Sequence, residues 1–279
     1  MGLSAVVSAR QGEAAIEVVM AVHNGAAWLE AQVATIAEQT HRPCRLLVLN
    51  DGSSDGSAAL LEALGQRYGG WLQQLPPQPP GQPQGCVASY GALLEASTAP
   101  YVALADQDDL WDPDKLAVSL ECLLAEEARH GRGQPLLVYS DARVIDASGA
   151  LLAPSWWAQE RRSGRPKGLW HLALRNQVIG CTVLMSRACL DAALPIPRQA
   201  VLHDWWLALA AQAAGGLLQL PQATLSYRCH GANLSRPVSW WEWPQRAWAV
   251  WRQWGALQRR LGQPVRLWDS WRLVRRRIQ

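Results

Sequence analysis

Asp106-Gln107-Asp108-Asp109 packs three carboxylates into four residues. Carboxylates this close repel one another unless a cation sits among them, and a hard divalent ion bound through oxygen is the usual partner. Residues i and i+2 diverge on a flat strand, so chelation needs a turn directly after Ala105. The competing reading is an acidic surface turn that caps the next helix. Asp112 ahead of Pro113 predicts that cap and first helical residue, which leaves the three upstream carboxylates without a structural task. The spacing does not fit an EF-hand, whose twelve-residue loop ends in Glu.

Three further segments carry polar groups suited to chemistry. Asp51, in Asn50-Asp51-Gly52-Ser53-Ser54-Asp55-Gly56, can accept hydrogen bonds from the N–H and hydroxyl groups of a nucleoside. The same residues would also build an Asx turn into a helix. His203-Asp204 sets two candidate bases at the start of an apolar helix, where an aspartate also serves as a cap. His230, in Tyr227-Arg228-Cys229-His230-Gly231, suits a metal or a phosphate, although a lone histidine is more often structural. No G-x-G-x-x-G or Walker A loop is present, so a phosphate ligand has no glycine cradle and needs a metal.

Short apolar runs alternate with amphipathic stretches, which predicts an α/β fold with a Rossmann-like, mostly parallel sheet flanked by helices. Strands are expected at Ile16–Val22, Leu46–Leu49, Tyr101–Ala105, Leu136–Tyr139 and Thr182–Met185. Helices are expected from Trp28, over Ala58–Leu64 and Val87–Ala96, and after Asp112-Pro113. The Pro- and Gln-rich segment 73–85 reads as loop. In open α/β sheets ligands sit beyond the carboxyl ends of the strands. His23-Asn24, Asp51 and Asp106–Asp109 each follow an apolar strand and should therefore meet on one rim.

The 279 residues, 49% hydrophobic and 18% charged, suffice for a large core and exclude a disordered or collagen-like chain. The formal charge of +3 conceals an uneven distribution. From His230 to Gln279 ten Arg face Glu242 and Asp269, so this tail carries +8 and residues 1–229 carry −5. The tail also holds half of the 16 Trp. Trp243, Trp251, Trp254 and Leu261 recur there at roughly helical intervals among arginines, which suits either an anionic membrane surface or packing on protein. A boundary is expected near Pro237, dividing a domain 1–237 from a helical extension 238–279. Six cysteines without a C-x-x-C pair suit reduced thiols. With no signal peptide evident, the setting is expected to be cytoplasmic, with a peripheral place on the inner face of the membrane. The acidic body argues against nucleic acid.

In order and spacing, Ala21-Val22-His23-Asn24-Gly25, Asn50–Gly56, Asp106-Gln107-Asp108-Asp109-Leu110-Trp111, Tyr139-Ser140-Asp141, Gly180-Cys181-Thr182, His203-Asp204 and Tyr227–Asn233 resemble the family 2 inverting glycosyltransferases. The likeness is to the rhamnosyltransferase-like branch and runs from about Val18 to Asn233. It implies a GT-A fold, with Asp51 and the backbone near Val22, His23 and Asn24 holding the nucleotide. It makes Asp106 and Asp108 the DxD pair at ribose and Mg²⁺ or Mn²⁺, Asp204 the catalytic base, and Asp109, His203 and His230 accessory candidates. The implied donor is a dTDP- or UDP-sugar, and the acceptor a glycan or lipid-linked glycan of a surface polysaccharide. Pro83-Gln84-Gly85 and Ser89-Tyr90 stand where relatives carry Asn-x-Gly and Asn-Phe. The absence of a Gln-x-x-Arg-Trp motif argues against a processive synthase.

Two other functions compete at this level. A nucleotidyltransferase could use a similar sheet and metal, but needs a basic phosphate loop near the N-terminus, where Arg10 is the only cation before Arg42. A non-catalytic scaffold would use the Trp/Arg tail and leave the aspartates as surface caps.

Overall fold

The computed structural model describes residues 14–231 and 243–262. In chain order its elements are β1 (Ile16–Val22), α1 (Leu29–Ala37), β2 (Arg45–Asn50), α2 (Ser57–Tyr68), β3 (Leu72–Gln74), α3 (Cys86–Ala96), β4 (Tyr101–Ala105) and β5 (Leu110–Trp111). There follow α4 (Lys115–His130), β6 (Leu137–Ile145), β7 (Leu151–Ala153), α5 (Trp156–Gln159), α6 (Leu169–Leu174), β8 (Leu184–Ser186), α7 (Arg187–Ala193), α8 (His203–Ala214), β9 (Leu217–Arg228) and α9 (Trp243–Leu261).

One sheet runs in the order β3-β2-β1-β4-β8-β6-β9-β5, with β7 paired to β6. The half from β3 to β4 is parallel, as the α/β alternation predicts. The other half is mixed: β8 is antiparallel to both neighbours, β6 and β9 are parallel, and β5 closes antiparallel to β9.

The parallel strands are buried on both faces, so they read as continuous apolar runs. Val19, Leu47, Leu49, Val102 and Leu104 point to one side, where α3, α6 and α8 cover them. Val18, Met20, Leu46, Val48 and Ala103 point to the other, under α1, α2 and α4. A fully buried Val or Leu contributes about 1.5–3 kcal/mol. A one-residue slip of β1 or β2 would move every side chain of the strand to the opposite layer, so the register is firmly set. That register fixes where the strands stop, and hence where the polar loops begin.

Two local expectations change. Leu72–Gln74, which overlaps the start of the segment 73–85 read as loop, pairs with β2. Asp112 does not cap α4, which starts at Lys115 after Asp114; the Asp112 carboxylate instead pairs with Arg143 across to β6.

Candidate active site

Three loops leave the carboxyl ends of β1, β2 and β4 and are stitched together by their own polar groups. Val22, the last residue of β1, gives its carbonyl to the Asp51 N–H at 2.8 Å. The His23 N–H donates to Gln107 Oε1 at 2.7 Å, and Gln107 Nε2 donates back to the His23 carbonyl at 3.0 Å. His23 Nδ1 donates to the Asp51 carbonyl at 2.7 Å. Asn24, at φ +52°, gives its N–H to Ser53 Oγ and receives the Ser54 N–H on Oδ1. The structure thus brings Val22, His23, Asn24, Asp51 and the acidic turn to one rim.

The Asp51 carboxylate is buried and faces the start of α3. Its two oxygens accept the N–H groups of Gln84 and Gly85 at 2.8 and 3.0 Å. The Pro/Gln segment runs alongside β2 before reaching this point, with Leu75, Gln78 and Gly81 donating to the carbonyls of Val48, Asn50 and Gly52. At Gly52, φ is +69° and an added Cβ would come within 2.8 Å of the Pro79 carbonyl, so the turn and the close approach both require glycine.

In the acidic turn each carboxylate has a different neighbour. Asp106 Oδ1 lies 2.9 Å from the Tyr90 hydroxyl, which also reaches the Ala105 carbonyl at 2.7 Å. Asp108 Oδ2 lies 2.7 Å from His230 Nε2, and the His230 ring stacks on Trp28 with centroids 4.3 Å apart. Asp109 accepts the Arg228 N–H at 3.0 Å, while Arg228 Nε donates to the Asp108 carbonyl. The end of β9 is therefore anchored on the turn and delivers His230 to it. Burial, reinforced by the Asp108 charge, pushes Asp106 well above the usual carboxylate range, and burial with the charges of Asp106 and Asp108 does the same to Asp109.

Asp106, Asp109 and Cys181 each bring a ligand atom within 4.8 Å of the others. Burial and the adjacent carboxylates keep the Cys181 thiol protonated, which makes it a poor ligand for a hard cation. Lys115 is buried nearby with its Nζ 4.1 Å from the centre of the Trp111 ring, and burial lowers it to about 8. Asp108 and His230 touch each other, and Asp106 sits on the same turn, but among the described residues only Asp106, Asp109 and Cys181 gather three ligand atoms.

Asp204 and His203 open α8, both buried. Burial pushes Asp204 up to about 6 against the pull of hydrogen bonds from the backbone of Trp205 and Gly180 and from the Asn176 side chain. Burial lowers His203 to about 3, so its neutral imidazole is a weak proton acceptor. Its Nδ1 lies 3.3 Å from Cys86 Sγ. The Cys86 thiol, itself largely buried, is raised first by desolvation and then by the charges of Asp106, Asp204 and Asp51. The start of α3 thus touches three segments of the site: Gln84 and Gly85 hold Asp51, Cys86 meets His203, and Tyr90 holds Asp106.

Four positions that matter here carry no sequence signal of their role. Tyr90 falls at the apolar spacing of α3 and reads as a core aromatic. Gln107 is recognisable only as part of an acidic turn, Cys86 only as a small apolar residue. An added Cβ on Gly180 would meet His203 Nε2 at 3.1 Å and Asp204 Cβ at 3.4 Å; Gly180 entered only as part of the Gly-Cys-Thr resemblance.

Residues 17–130, which contain β1 to β4 and the acidic turn, match the model of "Glycosyl transferase family 2". These residues form a family 2 glycosyltransferase domain. The chain is 22% identical to Bacillus subtilis TuaG, named for teichuronic acid biosynthesis, over 85% of this chain and 87% of that one. With the dTDP-rhamnosyl transferase RfbG of Shigella flexneri it shares 25% identity over 77% and 75% of the two chains. Among solved structures, the mannosyltransferase PcManGT of Pyrobaculum calidifontis, in complex with GDP-Man and Mn²⁺, superposes with a TM-score of 0.61 and 16% identity. The match covers 88% of this glycosyltransferase and 64% of that chain. At that identity the likeness carries the fold, which is GT-A.

Proposed function

We propose that this glycosyltransferase moves a sugar from a nucleoside diphosphate donor, a dTDP- or UDP-sugar, to a hydroxyl of a glycan or lipid-linked acceptor with inversion at the anomeric carbon. The observation that carries the reading is that the start of α3 touches all three carboxylate segments: Gln84 and Gly85 hold Asp51, Tyr90 holds Asp106, and Cys86 meets His203 beside Asp204. A donor-side, a diphosphate-side and a base-side carboxylate are thereby tied to one helix.

In the proposed reaction, ionised Asp204 removes the proton of the acceptor hydroxyl. The acceptor oxygen bonds to the anomeric carbon as the bond from that carbon to the diphosphate oxygen breaks, through an oxocarbenium-like transition state. At about 6, Asp204 is mostly ionised at neutral pH yet more basic than an ordinary carboxylate, which favours proton transfer. Asp106, Asp108 and His230 would hold a divalent ion, and such an ion supplies counter-charge to the departing diphosphate. Asp51 and the His23-Asn24 backbone form the nucleoside side of the rim, and Gln107 keeps that side in register with the acidic turn. The Mn²⁺ and GDP-Man of the Pyrobaculum enzyme and the dTDP-rhamnosyl name of the Shigella relative support a nucleotide-sugar donor with a divalent ion.

Turnover of a dTDP- and UDP-sugar panel, with and without EDTA, tests the reading, with NMR assignment of the anomeric configuration of any product. Chelator-sensitive turnover that inverts the anomeric centre is expected. Retention of configuration, or full turnover in EDTA, overturns it.

A further inference from the structure

Helix α9 presents two chemically different faces. One is committed to the catalytic body. Trp254 and Leu257 are buried there, and Trp254 meets Trp170 of α6 edge to face with centroids 5.1 Å apart. Gln253 Oε1 accepts the Val201 N–H at 2.7 Å, and Arg260 donates to the carbonyls of Ala192, Leu194 and Pro195 at the end of α7. The opposite face points to water. Trp248 and Trp251 are 59% and 64% exposed and stack on each other with centroids 5.3 Å apart. Exposed Arg252 and Arg259 follow them on the same side at helical spacing.

Two exposed indoles side by side form an apolar patch that a water-facing helix does not need. The charge around the patch narrows what can cover it. Helix α9 contains four arginines and no acidic residue. The chain beyond it, to Gln279, adds Arg266, Arg272 and Arg275–Arg277 with two more Trp against a single Asp269. A second copy of this face would oppose Arg with Arg, and like charges across an interface disfavour association. A phospholipid headgroup layer offers both matches: indole rings favour the interfacial zone, and guanidinium groups pair with phosphate. Among the described residues no helix is long and apolar enough to cross a membrane, so the geometry is that of a helix lying on the surface.

We propose that the Trp248/Trp251 face of α9, rimmed by Arg252 and Arg259, docks the enzyme on an anionic phospholipid bilayer while the Trp254/Leu257 face holds α9 to the catalytic body. The docking face is then fixed relative to the site through α6 and α8. Because the inner face belongs to the core, deletion of the tail is a poor test and surface substitutions are the right one.

Flotation of the full chain, without substrates, on phosphatidylcholine vesicles with and without phosphatidylglycerol gives that test. The protein is expected to float with phosphatidylglycerol-containing vesicles at low salt, to be released as salt screens the arginines, and to ignore pure phosphatidylcholine. Trp248→Ser/Trp251→Ser and Arg252→Glu/Arg259→Glu should each lower partitioning by roughly ten-fold or more while thermal melting stays unchanged. Absence of flotation at low salt overturns the proposal, as does flotation that survives both double substitutions. A dimer in sedimentation that the Trp substitutions dissolve, with no lipid binding, would assign the face to a second copy instead and equally overturns it.

Discussion

The imidazole of His203 lies flat on the phenol ring of Tyr90, with centroids 3.7 Å apart and planes 9° from parallel. Through this stack the first turn of α8, which carries Asp204, rests on the residue whose hydroxyl reaches Asp106. The proposed base and the proposed diphosphate-side carboxylate are thus held by one pair of rings.

Tyr90→Phe keeps the stack and removes the hydroxyl between Asp106 and the Ala105 carbonyl. The expected outcome is a stability loss of about 1 kcal/mol and weaker Mn²⁺ binding, because ionised Asp106 loses a donor. Denaturant unfolding and Mn²⁺ titration measure the two effects separately.

Asp204→Asn should lower kcat by roughly 10²–10⁴-fold with nucleotide affinity nearly unchanged, and in the parent enzyme kcat should fall as pH drops below about 6. Stability should move the opposite way. Burial raises the folded-state pKa from 3.8 to about 6, so the ionised form disfavours folding. The penalty is absent below about pH 4, grows as pH rises through 6, and reaches about 3 kcal/mol above that, at 1.36 kcal/mol per unit. The Asn variant should therefore melt higher than the parent at about pH 8 and alike near pH 4. Loss of donor affinity with kcat retained would place Asp204 in binding instead.

Asp108→Asn should abolish transfer, and EDTA should do the same reversibly, with Mg²⁺ or Mn²⁺ restoring turnover. His230→Ala should weaken the metal dependence rather than eliminate turnover, raising the Mn²⁺ concentration for half-activity by roughly ten-fold or more, as expected when one of several ligands is lost. Metal titrations of activity distinguish the two variants.

Gly180→Ala puts a methyl group against His203 Nε2 and Asp204 Cβ. Overpacking of this kind costs roughly 1–3 kcal/mol and should displace the base. A fall in kcat with a small change in donor KM is expected in steady-state kinetics. An unchanged kcat would mean that the site absorbs the methyl without moving Asp204.

Much of the scaffold was legible because the central strands are buried on both faces. Ile16–Val22 and Tyr101–Ala105 form strands at the predicted bounds, and the polar residues just beyond them meet at one rim. The edge strand Leu72–Gln74 escaped because two of its three side chains face solvent, leaving no apolar run to recognise. Asp112 misled because the sequence before Pro113 satisfies a capping pattern, while its partner Arg143 lies 31 residues away. The Tyr90, Cys86 and His203 arrangement depends on how α3 and α8 pack against each other, which no local pattern records.

The segment that runs alongside β2 to reach Asp51 contains five prolines between positions 76 and 83. A chain so restricted has few conformations to give up, and here its backbone is already hydrogen-bonded at Val48, Asn50, Gly52 and Asp51. Ordering entropy that a mobile loop would charge against ligand affinity is therefore settled during folding. Calorimetry of nucleotide binding should accordingly find a smaller entropic opposition in this enzyme than in a variant whose Pro76, Pro77, Pro79 and Pro80 are replaced by serine.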